Sequence, residues 1–203
     1  MSKKRKPIPV TIAITYTNSE GRRAYLNDLL EQLEIECPDV NPVLFGSGTA
    51  PGSYSLFANI HRCFCYLGKQ KGLCLYLQED TRLCKDFRKK LRGYVKKHHV
   101  DTSYLYYNLK GTPPYKQIEK VKGGECAIIA NASVFKKYSI WSRKFDLTDR
   151  KTKHDLFFGL FLMKKGIDVR APIPSMVQHV GGFSAKFNKH RQLKPRQSPT
   201  FKG

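Results

Sequence analysis

Hydrophobic residues along the chain form short runs rich in β-branched side chains, and these runs alternate with segments of helical periodicity. Residues 10–16 (Val-Thr-Ile-Ala-Ile-Thr-Tyr) are typical of a buried strand, and the turn-forming residues 18–21 separate them from a helical pattern over 22–34. The apolar stripe of that helix consists of Leu26, Leu29, Leu30 and Leu33. The fold is therefore predicted to begin with a strand and an amphipathic helix.

The same alternation continues along the rest of the chain. Strands are predicted over 42–45, 72–78, 103–107, 125–130, 167–170 and 175–178, and helices over 53–67, 84–98, 132–138 and 153–165. Loops are predicted over 46–52 and 110–124, which are rich in glycine and proline. This order predicts the α/β class with a mainly parallel central sheet, in which ligands bind beyond the carboxyl ends of the strands.

Length and composition indicate one folded domain with basic ends. The chain has 203 residues, of which 40% are hydrophobic and 12% aromatic, enough for one substantial core. We expect residues 1–8 to be a disordered basic arm, 9–184 the folded domain and 185–203 a basic tail. No apolar run approaches the roughly 18 residues of a membrane helix, and the N-terminus has no apolar signal core. We therefore expect a soluble, cytoplasmic protein.

The charge of the chain points to a polyanionic partner. Lys and Arg number 37 against 16 Asp and Glu, so the formal net charge is +21, more than solubility requires. The excess is concentrated in the predicted helix around 82–97 and in the tail. Phosphate contacts are predicted for Lys85, Arg88, Lys89, Arg92, Lys186 and Lys189. The alternative is a solvated helix face followed by a disordered tail.

Two acidic residues follow directly after the most strand-like segment of the chain. Glu79 and Asp80 end the predicted strand 72–78, at the edge of the sheet where ligands are expected. A carboxylate at this place binds a hard divalent cation, or it only caps the helix that follows.

Two further residues have a chemical and a structural interpretation. Asp155 opens the predicted helix 153–165, where it either caps backbone amides or acts as a base in the cleft. His179 lies between a strand and the pair Gly181-Gly182, so it is either a structural histidine or a metal ligand.

Three segments together resemble GT-A-type glycosyltransferases, in particular small phage enzymes that modify DNA. Leu75–Thr81 resembles the strand whose last acids, the DxD or EDD-type motif, hold a divalent metal on the diphosphate of the sugar nucleotide. Residues 154–160 are similar to the segment in which an acid opens a buried helix beside the reacting sugar. Residues 172–184 are similar to a late Pro…Gln-His-x-Gly-x-x-Ser stretch. The resemblance covers about residues 10–184 and implies a single GT-A-like, Rossmann-like domain.

The resemblance also implies roles for individual residues. Asp80 and His179 would bind Mn²⁺ or Mg²⁺, with the imidazole favouring Mn²⁺. Asp155 would accept the proton of the acceptor hydroxyl or orient that hydroxyl. Thr81 stands where a strict DxD motif has its second acid. The donor, most simply a UDP-sugar, would be bound by Thr15, Asn18, Arg22 and Glu79.

These assignments lead to a hypothesis with two rivals. The chain is predicted to be a metal-dependent glycosyltransferase whose acceptor is a hydroxyl on nucleic acid, favouring DNA and a hydroxymethylated pyrimidine, in the host cytoplasm if a phage encodes it. A buried base would have to be flipped out of the duplex. The first rival is a nucleic-acid-binding α/β protein without catalysis. The second is a glycosyltransferase with a glycan or lipid-linked acceptor.

Replacing Asp155 separates its two interpretations. If Asp155 is the base, Asp155→Asn lowers turnover by a factor of about 10² or more while donor affinity stays nearly unchanged, because the amide accepts no proton. Steady-state kinetics and calorimetric titration of the donor measure the two quantities. Unchanged turnover with a lower melting temperature would return Asp155 to the role of a helix cap.

Overall fold

The structure, a computed structural model, describes residues 10–47, 53–98, 101–106, 126–145, 154–181, 198, 201 and 203. The side chains of residues 47, 53–57 and 154–156 are not part of that description. The predicted arm 1–8 and the predicted loop 110–124 lie outside the described residues, as do Lys186 and Lys189. Among the described residues no helix is long and apolar enough to cross a bilayer.

Six strands form the central sheet and two form a small second sheet. The central strands are β1 (Val10–Thr17), β2 (Val43–Ser47), β3 (Leu73–Gln78), β5 (Thr102–Tyr104), β6 (Ala127–Asn131) and β7 (Val169–Arg170), and the second sheet pairs β4 (Thr81–Leu83) with β8 (Val177–His179). The helices are α1 (Glu20–Glu36), α2 (Ser53–Leu67), α3 (Phe87–His98), α4 (Ala132–Ser142) and α5 (His154–Lys164).

The central sheet has the order β2-β1-β3-β6-β5-β7, and β6 alone runs against its neighbours. The predicted α/β class with a mainly parallel sheet is thus confirmed. β1 and β3 pair in parallel from Val10–Leu73 to Thr15–Gln78, so their carboxyl ends lie side by side. A ligand site is expected at that edge.

Helices cover both faces of the sheet, as the nearly continuous apolar strands require. One face of the sheet packs with buried residues of α1 and α3, such as Leu29 and Phe87. The other packs with α2, α4 and α5 around an aromatic cluster, in which the Phe64 ring lies 4.9 Å from Tyr76 and 4.9 Å from Phe158. Both faces of β1 and β3 are therefore buried, and only the ends of these strands are left to meet a ligand.

The main difference from the predicted elements is β4. Glu79 and Asp80 form a turn between β3 and β4, and α3 begins only at Phe87 instead of Cys84. Asp86, the residue before α3, has a φ of 57°, which ends the extended path of the chain. The sequence did not predict β4, because a strand of three residues shows no periodicity and its pairing partner β8 lies far along the chain. The idea that Glu79 and Asp80 cap the following helix is wrong.

Candidate active site

The two acids of the β3–β4 turn are buried at the carboxyl end of the sheet. Glu79 is 1% exposed and Asp80 is 2% exposed. The amide of Glu79 donates to the carbonyl of Thr15 at 3.1 Å, which extends the β1–β3 ladder into the turn. The carboxylates therefore lie where β1 and β3 both end, as the sequence predicted for Glu79 and Asp80.

Arg22 joins both carboxylates. From the first turn of α1, its Nε donates to Oε1 of Glu79 at 2.8 Å, and its Nη2 donates to Oδ2 of Asp80 at 2.9 Å. The amide of Thr17 donates to the same Glu79 oxygen at 3.0 Å. These are charge-assisted hydrogen bonds, which are roughly twice as strong as neutral ones.

The electrostatics of this cluster follow from burial and charge together. Burial raises the pKa of Glu79, and Arg22 opposes that shift. For Arg22, burial disfavours the charge, but Asp80 and Glu79 together overcome it and raise the arginine pKa. Arg22 is therefore a fixed positive charge between two acids.

His179 reaches Asp80 through the small second sheet. β4 and β8 are antiparallel, with Thr81 opposite His179. The imidazole Nε2 lies 3.2 Å from Oδ2 of Asp80, and the amide of Val180 donates to the Asp80 carbonyl at 2.9 Å. His179 therefore lies beside the acidic turn, and its role as a metal ligand stays a prediction.

Gly181 is the close neighbour of the Asp80 carboxylate. A Cβ atom on Gly181 would overlap Oδ2 of Asp80. The backbone at Gly181 therefore approaches a carboxylate of the protein itself, and only a residue without a side chain fits there.

Two polar atoms of the cluster have no partner among the described residues. These are Oδ1 of Asp80 and Nδ1 of His179, both buried. Buried polar atoms are normally hydrogen-bonded, so these two need an explanation such as a bound ion or water. The described residues contain no group of three metal-ligating side chains, so they form no cage made by protein alone. One carboxylate and one imidazole do fit a divalent cation whose other ligands are diphosphate oxygens and water.

Thr15 and Asn18, the other two residues predicted to bind the donor, differ in burial. Thr15 is fully buried, and its hydroxyl shares a hydrogen bond of 3.0 Å with the hydroxyl of Tyr76. Asn18 is half-buried at the start of α1 and accepts from the guanidinium of Arg23. The side chain of Asp155 lies outside the description, although α5 (His154–Lys164) corresponds closely to the helix predicted over 153–165. The catalytic role of Asp155 stays a prediction.

Arg88 and Arg92, two of the predicted phosphate-binding residues, do not border the acidic turn. Arg88 and Arg92 line a small cavity with Val10 and Leu73, the first residues of β1 and β3, so they lie at the opposite edge of the sheet. Arg88 also forms an ion pair with Asp39. Lys85 and Lys89 are exposed. The nucleic-acid role of these residues stays a prediction.

Sequence reasoning missed a groove beside His179. It is lined by Tyr25, Asp28, Arg82, Gln178, Val180 and Phe201, among others. The amide of Ser198 donates to Oε1 of Gln178 at 3.0 Å, so part of the segment predicted as a basic tail lies against β8. Nothing in the local pattern of α1 signals this groove, because Tyr25 and Asp28 are ordinary residues of an amphipathic helix.

The chain resembles known proteins in structure. No family model and no curated protein matches the chain. A glycosyltransferase involved in the glycosylation of the major capsid of PBCV-1 matches with a TM-score of 0.54 at 10% identity, covering 86% of this chain and 95% of that one. The chain has the GT-A glycosyltransferase fold.

Two structures of S. aureus TarS share this GT-A fold. The fragment 1–349 gives a TM-score of 0.50 at 12% identity, and a second structure gives 0.52 at 13%. The match covers 80% of this chain and 60% of the fragment, and 81% of this chain and 35% of the second structure. At such identities the likeness establishes the GT-A fold alone, and the function must be argued from the site.

Gly181→Ala tests the close approach to Asp80. The added Cβ forces the buried carboxylate away from Arg22, so the free energy of unfolding falls by about 1–3 kcal/mol in chemical denaturation. The matched control is Gly93→Ala, because Gly93 lies within α3 and no atom outside the helix backbone lies within 4 Å of the Cβ that alanine would add. The control is expected to stabilise by about 0.5–1 kcal/mol. Equal effects of the two substitutions would contradict the contact.

Proposed function

We propose that this protein is a metal-dependent glycosyltransferase that uses a nucleotide-sugar donor. The observation that carries the proposal is the buried cluster of Arg22, Glu79, Asp80 and His179 at the carboxyl end of β3 in a GT-A fold. Buried ionisable groups with unsatisfied polar atoms at a ligand-binding edge are typical of active sites.

A divalent cation suits the unpartnered Oδ1 atom of Asp80 and the His179 imidazole that faces the same carboxylate. Asp80 and His179 would hold it, and the cation would offset the charge that develops on the leaving nucleoside diphosphate. Oδ2 of Asp80 already faces Arg22, His179 and Gly181, so Oδ1 is the oxygen left for a ligand. An imidazole ligand favours Mn²⁺ over Mg²⁺.

Arg22 and Glu79 prepare the site for a diphosphate. Glu79 is held by the Thr17 amide and by Arg22, so its position is fixed before the donor arrives. Arg22 places a permanent positive charge next to the Asp80 carboxylate, where it also attracts phosphate oxygens. Asp155, at the head of α5, is proposed as the base for the acceptor hydroxyl.

The proposed acceptor is a hydroxyl on nucleic acid, with DNA favoured. The support is the net charge of +21 and the exposed lysines that precede and begin α3. Polymer bound through its phosphates would have to present a flipped-out base to the acidic turn at the other edge of the sheet.

Asp80→Asn tests the metal proposal. The amide carries no charge, so transfer and metal-dependent hydrolysis of the nucleotide-sugar are expected to fall by about 10² or more. His179→Ala is expected to raise the Mn²⁺ concentration for half-maximal activity by about tenfold or more. Electron paramagnetic resonance titration of Mn²⁺ measures binding directly.

The matched control for Asp80 is Asp168→Asn, since Asp168 is an exposed acid that pairs with Arg170. It is expected to leave Mn²⁺ binding unchanged. Full activity of the wild-type protein in excess chelator would remove the metal from the mechanism. Absence of any nucleotide-sugar hydrolysis would favour the rival of a binding protein without catalysis.

Salt dependence tests the nucleic-acid acceptor. If α3 binds phosphates, the logarithm of DNA affinity falls linearly with the logarithm of salt concentration, by about 0.9 per phosphate contact. Lys85→Glu with Lys89→Glu is expected to flatten that slope and to lower transfer to polymeric DNA, while hydrolysis of free nucleotide-sugar is unchanged. Arg88 is left intact because it pairs with Asp39.

Lys137→Glu with Lys144→Glu is the matched control on α4 and the residues after it, where both lysines are exposed. Fluorescence anisotropy at several salt concentrations measures the slopes. Weak DNA binding, no transfer to hydroxymethylated DNA and equal behaviour of both double variants would exclude nucleic acid as the acceptor. The glycosyltransferase proposal would survive that result with a different acceptor.

A further inference from the structure

The outer surface of α4 and α5 exposes several large apolar side chains. Ile140 is 54% exposed, Phe145 40%, Leu160 47% and Met163 53%. Only Ile35 and Leu44 complete the set of exposed large hydrophobic residues in the part of the chain that the structure describes. Scattered apolar residues are normal on a protein surface, but three on two packed helices and a fourth just after α4 favour an interaction site.

Aromatic contacts join the two helices into one surface. The Trp141 ring lies 4.6 Å from Phe145 and 4.8 Å from Phe157 of α5, measured between ring centroids. A shallow groove beside them is lined by Lys137, Ile140, Trp141, Lys144, Lys165 and Ile167. The apolar side chains thus lie next to lysines, and we name this region the α4–α5 surface.

The charged side chains that line the groove of the α4–α5 surface are all lysines. Two neighbouring segments contain no Asp or Glu. They are the second half of α2 with the residues after it (61–72), which packs against α4, and the segment of β6 and α4 (126–145). The basic residues in these two ranges are Arg62, Lys69, Lys71, Lys136, Lys137, Arg143 and Lys144. Lys164 and Lys165 add two exposed charges at the end of α5. The opposite helical layer differs, because α1 and the residues after it carry acids and Arg88 of α3 pairs with Asp39.

We propose that the α4–α5 surface binds the face of a lipid bilayer that contains anionic lipids. A bilayer interface offers apolar depth for Ile140 and Met163 and anionic headgroups for the surrounding lysines. Nucleic acid would satisfy the lysines but would leave the apolar side chains in water. A second copy of this surface would repel the first, because three lysines line the groove of each. The proposal goes beyond the proposed function, since it concerns where the protein is held and not what it transfers.

The single tryptophan of the chain, Trp141, lies in this surface and is a built-in probe. The experiment titrates the full-length protein with vesicles of phosphatidylcholine alone, or of phosphatidylcholine with one quarter phosphatidylglycerol. Binding to the anionic vesicles is expected to shift Trp141 emission to the blue, and brominated lipids are expected to quench it. Neutral vesicles are expected to bind at least about tenfold more weakly, since each basic residue near an anionic surface contributes.

Two double variants and two matched controls locate the surface. Lys137→Glu with Lys144→Glu, and Ile140→Ser with Met163→Ser, are each expected to lower partitioning into anionic vesicles by about tenfold or more. Lys85→Glu with Lys89→Glu makes the same charge change on the α3 side. Ile35→Ser removes a side chain that is 79% exposed on α1. Both controls are expected to change partitioning less than threefold, and thermal unfolding checks that all four variants fold.

Three results would overturn the proposal. The first is no blue shift of Trp141 with anionic vesicles. The second is an equal loss of binding in the α3 and α4 lysine variants, which would mean that net charge alone attracts the protein to vesicles. The third is a loss of DNA affinity or of self-association in the α4–α5 variants with vesicle binding intact, which would assign the surface to nucleic acid or to a second copy. None of these results bears on nucleotide-sugar hydrolysis, which tests the proposed function separately.

Discussion

Arg22 lies between two carboxylates that the fold buries side by side at the end of β3. Glu79 and Asp80 are consecutive residues and almost fully buried, so their like charges would oppose both burial and each other. One guanidinium makes a charge-assisted hydrogen bond to each of them. Removing one partner of a buried ion pair costs about 3–5 kcal/mol, because the other charge is left uncompensated. The first turn of α1 is therefore held against the β3–β4 turn, and the position of both acids depends on it.

The small second sheet completes the site from the other side. β8 places His179 opposite Thr81, and the Val180 amide donates to the Asp80 carbonyl. Gly181 then follows at a distance that leaves no space for a side chain. Asp80 is thus enclosed by α1, β4 and β8, while its Oδ1 atom has no partner among the described residues. We propose that this enclosed carboxylate, with one unsatisfied oxygen, binds a cation that arrives together with the donor.

Charge is distributed unevenly over the two helical layers. The α1–α3 layer mixes signs, as the Arg88–Asp39 pair shows. The α4–α5 surface combines lysines with exposed apolar residues and has no acid in residues 126–145. The net charge of +21 is therefore divided between two helical layers of different character, and we do not assign it to a single partner. The sequence predicted phosphate binding by residues of the α1–α3 layer. In that layer acids compensate part of the basic charge.

The sequence by itself determined the elements whose periodicity is local. The strand before Glu79 and Asp80, the helix after β1 and the α/β class all follow from runs of apolar residues, because burial on a strand or on a helix stripe imposes a period that neighbouring residues share. The carboxyl end of β3 followed as the ligand edge from that class. Only the tertiary structure decided that Arg22 binds Asp80, which lies 58 residues away. It also formed strand β4 and brought Gly181 against a carboxylate. It placed Arg88 and Arg92 near the amino-terminal ends of β1 and β3, away from the acidic turn. These contacts join distant residues whose local patterns are ordinary, and they are fixed by strand register and helix packing, which no single segment encodes.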